Sequence, residues 1–85
     1  MRLYHDRQSE RTGAIDARDE EECFTAAGRR VGVWLSTEIV AGSTAYAADV
    51  DVAAVETYEV TVDGSSDRTF VVPGSVVERL GFSLT

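Results

Sequence analysis

The sequence predicts a small α+β domain, in which an antiparallel sheet packs against one or two short helices. Three features predict it: an apolar run in the first half, alternating residues on both sides of a turn in the second half, and two short segments with helix-capping residues. The chain has 85 residues, of which 44% are hydrophobic and 27% charged. This length suits one compact domain, residues 1–85, with a single core.

Two strands are predicted in the first half of the chain. Residues 2–5 alternate in the manner of a short strand, and residues 31–36 form a continuous apolar run suited to a buried strand. Within that run, Gly32 indicates a bulge or the close approach of another backbone. Trp34 is expected in the core.

A short helix is predicted between these two strands, after a loop at residues 6–18. Asp16 or Asp19 is a suitable N-cap, and the glutamates at 20–22 would fill a first turn, where the helix dipole favours acidic residues. Gly28 is suited to the position that ends the helix.

The second half predicts a β-hairpin. Residues 37–48 indicate a loop or a weak strand. Alternating residues from 55 to 62 lead into an Asp-Gly-Ser-Ser-Asp turn at 63–67, and residues 68–72 return as the partner strand.

The C-terminal segment predicts a last helical turn and a last strand. Pro73 ends the hairpin because it cannot donate a backbone hydrogen bond. Ser75 is expected to cap a short helix at 76–80, which Gly81 closes, and residues 82–84 alternate like a strand.

The charge is strongly acidic and unevenly distributed. The net charge is −7, and all eight basic residues are arginines. Residues 1–30 contain six Arg and seven acids, whereas residues 31–85 contain two Arg and eight acids. Such a field repels phosphates, which argues against direct binding of nucleic acid and favours a basic protein partner. A surface that only keeps the protein soluble is the alternative.

Several classes of site and location are excluded by simpler observations. The single cysteine excludes an intramolecular disulfide and a cysteine-based zinc site. No apolar run approaches the ~20 residues that span a bilayer, and the first residues do not resemble a signal peptide. The sequence therefore predicts a soluble, cytoplasmic protein that does not bind membranes.

Few residues suggest catalysis or metal binding. His5 is the only histidine, so it cannot form a His-rich metal site. Cys23 follows three glutamates, and we expect its thiol to be buried and unreactive. The acidic residues between the two halves match no calcium-loop spacing, so no metal site is predicted; they are Asp49, Asp51 and Glu56.

The N-terminal Arg-Leu-Tyr-His, the Gly-Val-Trp-Leu-Ser strand and the late Thr-Phe-Val-Val-Pro segment resemble small bacterial and phage proteins with an ADP-ribosyltransferase-like fold. The resemblance implies that His5 helps to hold NAD. It also implies that Thr69 stands where the family has its catalytic glutamate, so the chain would be a catalytically silent relative. Glu56 and Glu59 are the candidates to replace this glutamate.

These observations support two hypotheses of function. The first is a non-catalytic acidic protein, without a cofactor, that binds and blocks a basic partner, for example a protein surface that itself binds nucleic acid. In size and charge it is similar to phage-encoded inhibitors, including anti-CRISPR proteins. The predicted partner-binding residues are Asp49, Asp51, Glu56, Glu59, Asp63 and Asp67. The alternative is an ADP-ribosyltransferase-like domain that binds or uses NAD. A homodimer is a further alternative, because so small a sheet has exposed strand edges.

Overall fold

The computed structural model describes residues 1–6, 15–25, 27–39, 44–60 and 67–84. These residues contain one short α-helix, α1 (Gly74–Arg79), and one 3-10 turn (Ala17–Asp19). The rest of the regular structure is strand: β1 (Arg2–Asp6), β2 (Glu21–Thr25), β3 (Gly28–Ser36), β4 (Ala45–Asp49), β5 (Tyr58–Val60), β6 (Thr69–Val72) and β7 (Ser83–Leu84).

The strands form an antiparallel sheet in the order β5-β6-β3-β1-β4-β7, with β2 paired to β3 off this path. The long strand β3 organises the sheet, because residues 28–32 pair with β2 and residues 33–36 pair with β6. On its other side, Ser36 lies opposite Tyr4 of β1. The predicted antiparallel sheet is confirmed, but the helical part of the predicted α+β class is small.

One hydrophobic core joins a face of the sheet to α1. Val33 and Leu35 of β3 are completely buried, as is Leu3 of β1. They pack with side chains of the neighbouring strands and of the helix, which include Tyr46, Ala48, Phe70, Val72, Val76 and Val77. Among the described residues, no helix has the length and apolar character needed to cross a membrane.

The expected close approach at Gly32 is confirmed. A Cβ atom at this position would lie 2.6 Å from Cγ1 of Val71 and 2.7 Å from the carbonyl oxygen of Val72. Both distances are shorter than van der Waals contact. Gly32 therefore lets β6 approach at the point where β3 changes its pairing partner from β2 to β6.

The predicted helix after Asp16 is wrong. Asp16 does cap a turn: its side chain accepts a hydrogen bond from the backbone N–H of Arg18, and the side chain of Asp19 accepts one from the backbone N–H of Asp16. This turn, however, is a 3-10 turn that ends at Asp19. The chain then extends into β2 and pairs residue by residue with the start of β3. Gly28, with φ of 101°, lies at the start of β3 after the turn between these strands rather than at a helix end.

The hairpin of the second half is confirmed where the structure describes it. Strands β5 and β6 are antiparallel, with Tyr58 opposite Val71. Residues 61–66, which hold most of the predicted turn and Asp63, lie outside the described residues. The segment at 37–48, expected as a loop or weak strand, contains most of β4, a largely buried strand that pairs along the whole of β1.

The last helix begins two residues earlier than predicted, at Gly74 rather than residue 76. Pro73 occupies the N-cap position without a side-chain hydrogen bond, so the expected cap at Ser75 is wrong. The start of α1 lies close to the 3-10 turn, and a Cβ on Gly74 would lie 2.8 Å from Cα of Ala17. Gly81 follows the helix with φ of 73°, as expected, and the predicted last strand pairs with β4.

Candidate functional site

Two adjoining cavities open where β1, β3 and β6 lie side by side. The first is about 220 Å³ and the second about 430 Å³. Both are lined by Asp6, Ser36 and Thr69, so they form one continuous depression, which we call the acidic groove. The first cavity is also lined by Tyr4, His5, Trp34 and Leu35, and the second by Glu38, Ile39 and Asp67.

Strand pairing explains why residues so distant in the sequence share this groove. Ser36 lies opposite Tyr4 in one direction and opposite Thr69 in the other. Residues directly opposite each other in antiparallel strands project their side chains to the same face. The floor of the groove is therefore built from three strands that the chain reaches near positions 4, 36 and 69.

The end of β3 then turns towards the start of β6. The Ser36 hydroxyl donates to the Glu38 carbonyl at 2.6 Å. The backbone N–H of Thr37 donates to the carbonyl of Arg68 at 3.1 Å, and the Thr37 hydroxyl accepts from the N–H of Arg68 at 3.1 Å. These bonds join the segment that carries Glu38 to the segment that carries Asp67.

Glu38 and Asp67 consequently form a carboxyl pair at one end of the groove. The hydrogen bond between the two side chains, and the negative charge of Asp67, raise the pKa of Glu38 above its usual range. Asp6 is the third acidic residue of the second cavity, and the described residues that line this cavity include no basic side chain. This end of the groove is therefore suited to a cation.

Thr69 supplies a polar group that has no hydrogen-bond partner among the described residues. The residue is only 9% exposed, and its hydroxyl makes no hydrogen bond to the described part of the chain. No completely enclosed side-chain nitrogen or oxygen of the described residues lacks a partner, so this hydroxyl is open to the groove. A ligand in the groove would satisfy it.

His5 and Trp34 meet in the first cavity. Nδ1 of His5 is 2.8 Å from the carbonyl oxygen of Trp34. In the neutral imidazole this nitrogen is the donor, which leaves Nε2 as an acceptor. The prediction of a core Trp34 is wrong: the side chain is half-buried and lines the groove, because its neighbours Val33 and Leu35 take the alternating positions that face the core.

The structure does not bring the six predicted partner-binding residues together. Asp67 lies in the groove, whereas Asp49 is at the exposed end of β4, with a carboxylate oxygen 3.6 Å from Nη1 of Arg2. Strand β4 is three strands away from β6, which is roughly 14 Å at ~4.8 Å per strand. Asp63 lies outside the described residues.

The other three predicted residues have separate surroundings. Asp51 is exposed and accepts a hydrogen bond from the N–H of Ala53 at 3.1 Å, which places it in a local turn. Glu59 binds Arg68 through two hydrogen bonds of 3.0 Å, and this contact lowers the pKa of Glu59. Glu56 is exposed and lines a different cavity, beside Arg79.

Neither glutamate that was a candidate to replace Thr69 reaches the cavity of His5. Glu59 lies opposite Phe70, and adjacent residues on a strand face opposite sides, so it is on the other face from Thr69. Glu56 precedes β5 and lies beside α1. The described residues around His5 therefore include Asp6 but neither of these glutamates.

Cys23 is buried as expected, although it lies on a strand. Burial is the largest cause that raises the pKa of its thiol, and the negative charges of Glu21 and Glu22 raise it further. A neutral thiol is a poor nucleophile and a poor metal ligand. Within the described residues, no three His, Cys, Asp or Glu side chains are placed to hold a metal ion together.

Sequence reasoning did not single out Asp6 and Glu38 as binding residues. Glu38 lies two residues beyond the predicted strand 31–36, and Asp67 lies just before the predicted strand at 68–72. Antiparallel pairing of those two segments would have placed Glu38 and Asp67 side by side.

No family model, curated protein or solved structure matches the chain.

Proposed function

We propose that this protein is a non-catalytic binding domain that takes a basic group of a partner protein into the acidic groove. The observation that carries the proposal is the lining of the second cavity, where Asp6, Glu38 and Asp67 occur without a basic side chain among the described residues. A positive charge placed there would relieve the repulsion between two neighbouring carboxylates.

The charge of the whole chain supports the same function. With a net charge of −7, the protein attracts basic surfaces over distances of about a Debye length, ~10 Å at 0.1 M salt. Surfaces that bind nucleic acid are rich in Lys and Arg. An acidic domain seated on such a surface would block it, and association would weaken as salt is added.

The test compares two double variants that remove the same amount of charge. Glu38→Gln/Asp67→Asn changes the groove, and Asp49→Asn/Glu56→Gln changes exposed acids outside it. Binding of a fluorescent peptide rich in Lys and Arg is measured by anisotropy, with melting temperature as the folding control. We expect the groove variant to bind about tenfold more weakly, equivalent to ~1.4 kcal/mol, and the control variant to change far less.

Equal weakening in the two double variants would contradict the proposal. The peptide would then respond to net charge alone, and the groove would have no special role. Unchanged binding in both double variants would also contradict the proposal.

A second candidate function is the binding of NAD without transfer chemistry. One observation favours it: His5, Trp34 and Thr69 line one cavity, which is where the resemblance to ADP-ribosyltransferase-like proteins would require His5 and the position of the lost glutamate. Nε2 of His5 would accept a hydrogen bond from a ribose hydroxyl. Thr69 has no carboxylate to stabilise a positively charged ribose centre.

This candidate is tested by titrating the protein with NAD and observing amide shifts by NMR. It predicts saturable binding that His5→Ala abolishes and Glu56→Gln leaves intact. No binding at millimolar NAD would eliminate it. The groove carboxylates argue against it, because they repel the diphosphate of the dinucleotide.

A further inference from the structure

We infer that the acidic groove is a receptor for a single arginine side chain, whose guanidinium group would lie between Glu38, Asp67 and Thr69. This inference rests on the proposed function and names the group that the partner inserts. It depends on the hydrogen-bonding character of the lining, on the unpartnered Thr69 hydroxyl and on the aromatic residues of the adjoining cavity.

The described polar groups at this end of the groove are suited to accepting hydrogen bonds. The carboxylate oxygens of Asp6, Glu38 and Asp67 accept hydrogen bonds, and a cation in the groove would replace the proton of the hydrogen bond between Glu38 and Asp67. The Ser36 hydroxyl already donates to the Glu38 carbonyl, so its lone pairs remain for a further donor. A guanidinium group has five N–H donors in one plane and no acceptor, whereas an ammonium group has three donors around one atom. A guanidinium group can therefore donate hydrogen bonds to several separate acceptors better than an ammonium group can.

Thr69 is the observation that separates this groove from an ordinary acidic surface. Its side chain is nine-tenths buried and contributes to both cavities, yet its hydroxyl has no partner in the described part of the chain. Because this hydroxyl is open to the groove, a ligand that covers it must offer it a hydrogen bond in place of solvent. A guanidinium N–H that points away from the two carboxylates would donate to this oxygen.

The first cavity suits the rest of an arginine side chain. It is continuous with the acidic end through Asp6, Ser36 and Thr69, and its lining residues include the aromatic Tyr4 and Trp34. Arginine packs its stem and its planar head against aromatic faces. The protein already uses this contact elsewhere, since the guanidinium carbon of Arg30 lies 4.9 Å from the ring centre of Tyr58, and that of Arg68 lies 5.1 Å from the ring centre of Phe70.

The experiment uses three peptides that are identical except at one central position, which is Arg, Lys or citrulline among Gly and Ser residues. Citrulline keeps the shape of arginine without its charge. Affinities for the intact protein are measured by NMR titration. We expect the arginine peptide to bind about tenfold more tightly than the lysine peptide, and the citrulline peptide to bind most weakly.

Variants at Thr69 test whether its hydroxyl recognises arginine, because a purely structural role would not change the ratio of arginine to lysine affinity. Thr69→Val keeps the shape and removes the hydroxyl, so we expect the ratio of arginine to lysine affinity to fall several-fold. Thr69→Ser keeps the hydroxyl and should retain the ratio. An unchanged ratio in Thr69→Val would overturn the role of this residue in recognising arginine.

The outcomes separate this inference from the proposed function. Equal binding of the arginine and lysine peptides, with citrulline weaker, would overturn the arginine preference and leave a groove for basic groups intact. Equal binding of all three peptides would overturn both the inference and the proposed function.

Discussion

Glu38 and Asp67 place two carboxyl groups in one small space, and this pair shows how a single contact affects both folding and binding. The raised pKa of Glu38 means that the folded chain holds this proton more tightly than the unfolded chain. Repulsion within the pair therefore opposes folding above the raised pKa. Stability from this source increases as the pH falls through that value.

Asp67→Asn should lower the pKa of Glu38 towards its ordinary range, because the substitution removes the carboxyl group that hydrogen-bonds to Glu38 and, with it, the neighbouring negative charge. The side-chain carboxyl carbon of Glu38, followed by NMR from pH 3 to pH 8, measures this change. Asp49→Asn is the matched control, since it removes an exposed carboxylate outside the groove. A Glu38 titration that Asp67→Asn leaves unchanged would show that the two groups do not interact.

Gly32 gives a second prediction at the residue scale. Gly32→Ala would place a Cβ within 2.7 Å of atoms of Val71 and Val72, so β6 or β3 must shift. We expect a loss of about 1–3 kcal/mol in the free energy of unfolding, the usual cost of overpacking. Urea denaturation measures it, with the exposed neighbour Val31→Ala as the control. Equal stability of Gly32→Ala and the wild type would contradict the close packing described here.

At the scale of elements, the sequence predicted those parts that local patterns decide. The strand at residues 2–5, the hairpin strands and the breaks at Pro73 and Gly81 all follow from alternation or backbone chemistry. The predicted helix after Asp16 failed because its caps are satisfied within one 3-10 turn. Residues 21–25 then form a strand that pairs as a hairpin with residues 28–32, and this pairing outweighs the local helix signals.

The capping box of the 3-10 turn can be tested directly. Asp16 accepts a hydrogen bond from the N–H of Arg18 at 2.9 Å, and Asp19 accepts one from the N–H of Asp16 at 3.0 Å. Asp16→Ala should reduce the free energy of unfolding by about 0.5–2 kcal/mol, as for other N-caps. The exposed Glu21→Gln is the control in the same denaturation experiment. A larger effect at Glu21 than at Asp16 would contradict a stabilising cap.

At the scale of the whole molecule, composition pointed to an acidic binding surface but not to its position. The predicted residues were chosen along one half of the chain, and the strand order separates Asp49 and Asp51 from Asp67. The groove instead depends on pairing between β3, β1 and β6, which brings Glu38 beside Asp67 and places Asp6 in the same groove. The two segments at the N-terminus and at Thr69 both line the first cavity.

The measurement that tests the groove most directly is an NMR map of the protein during titration with the arginine peptide. Our account predicts that the largest amide shifts fall on Ser36, Glu38, Asp67 and Thr69, and that Asp49 and Asp51 remain nearly unchanged. Shifts centred on Asp49 and Asp51, or spread evenly over all acidic residues, would contradict it.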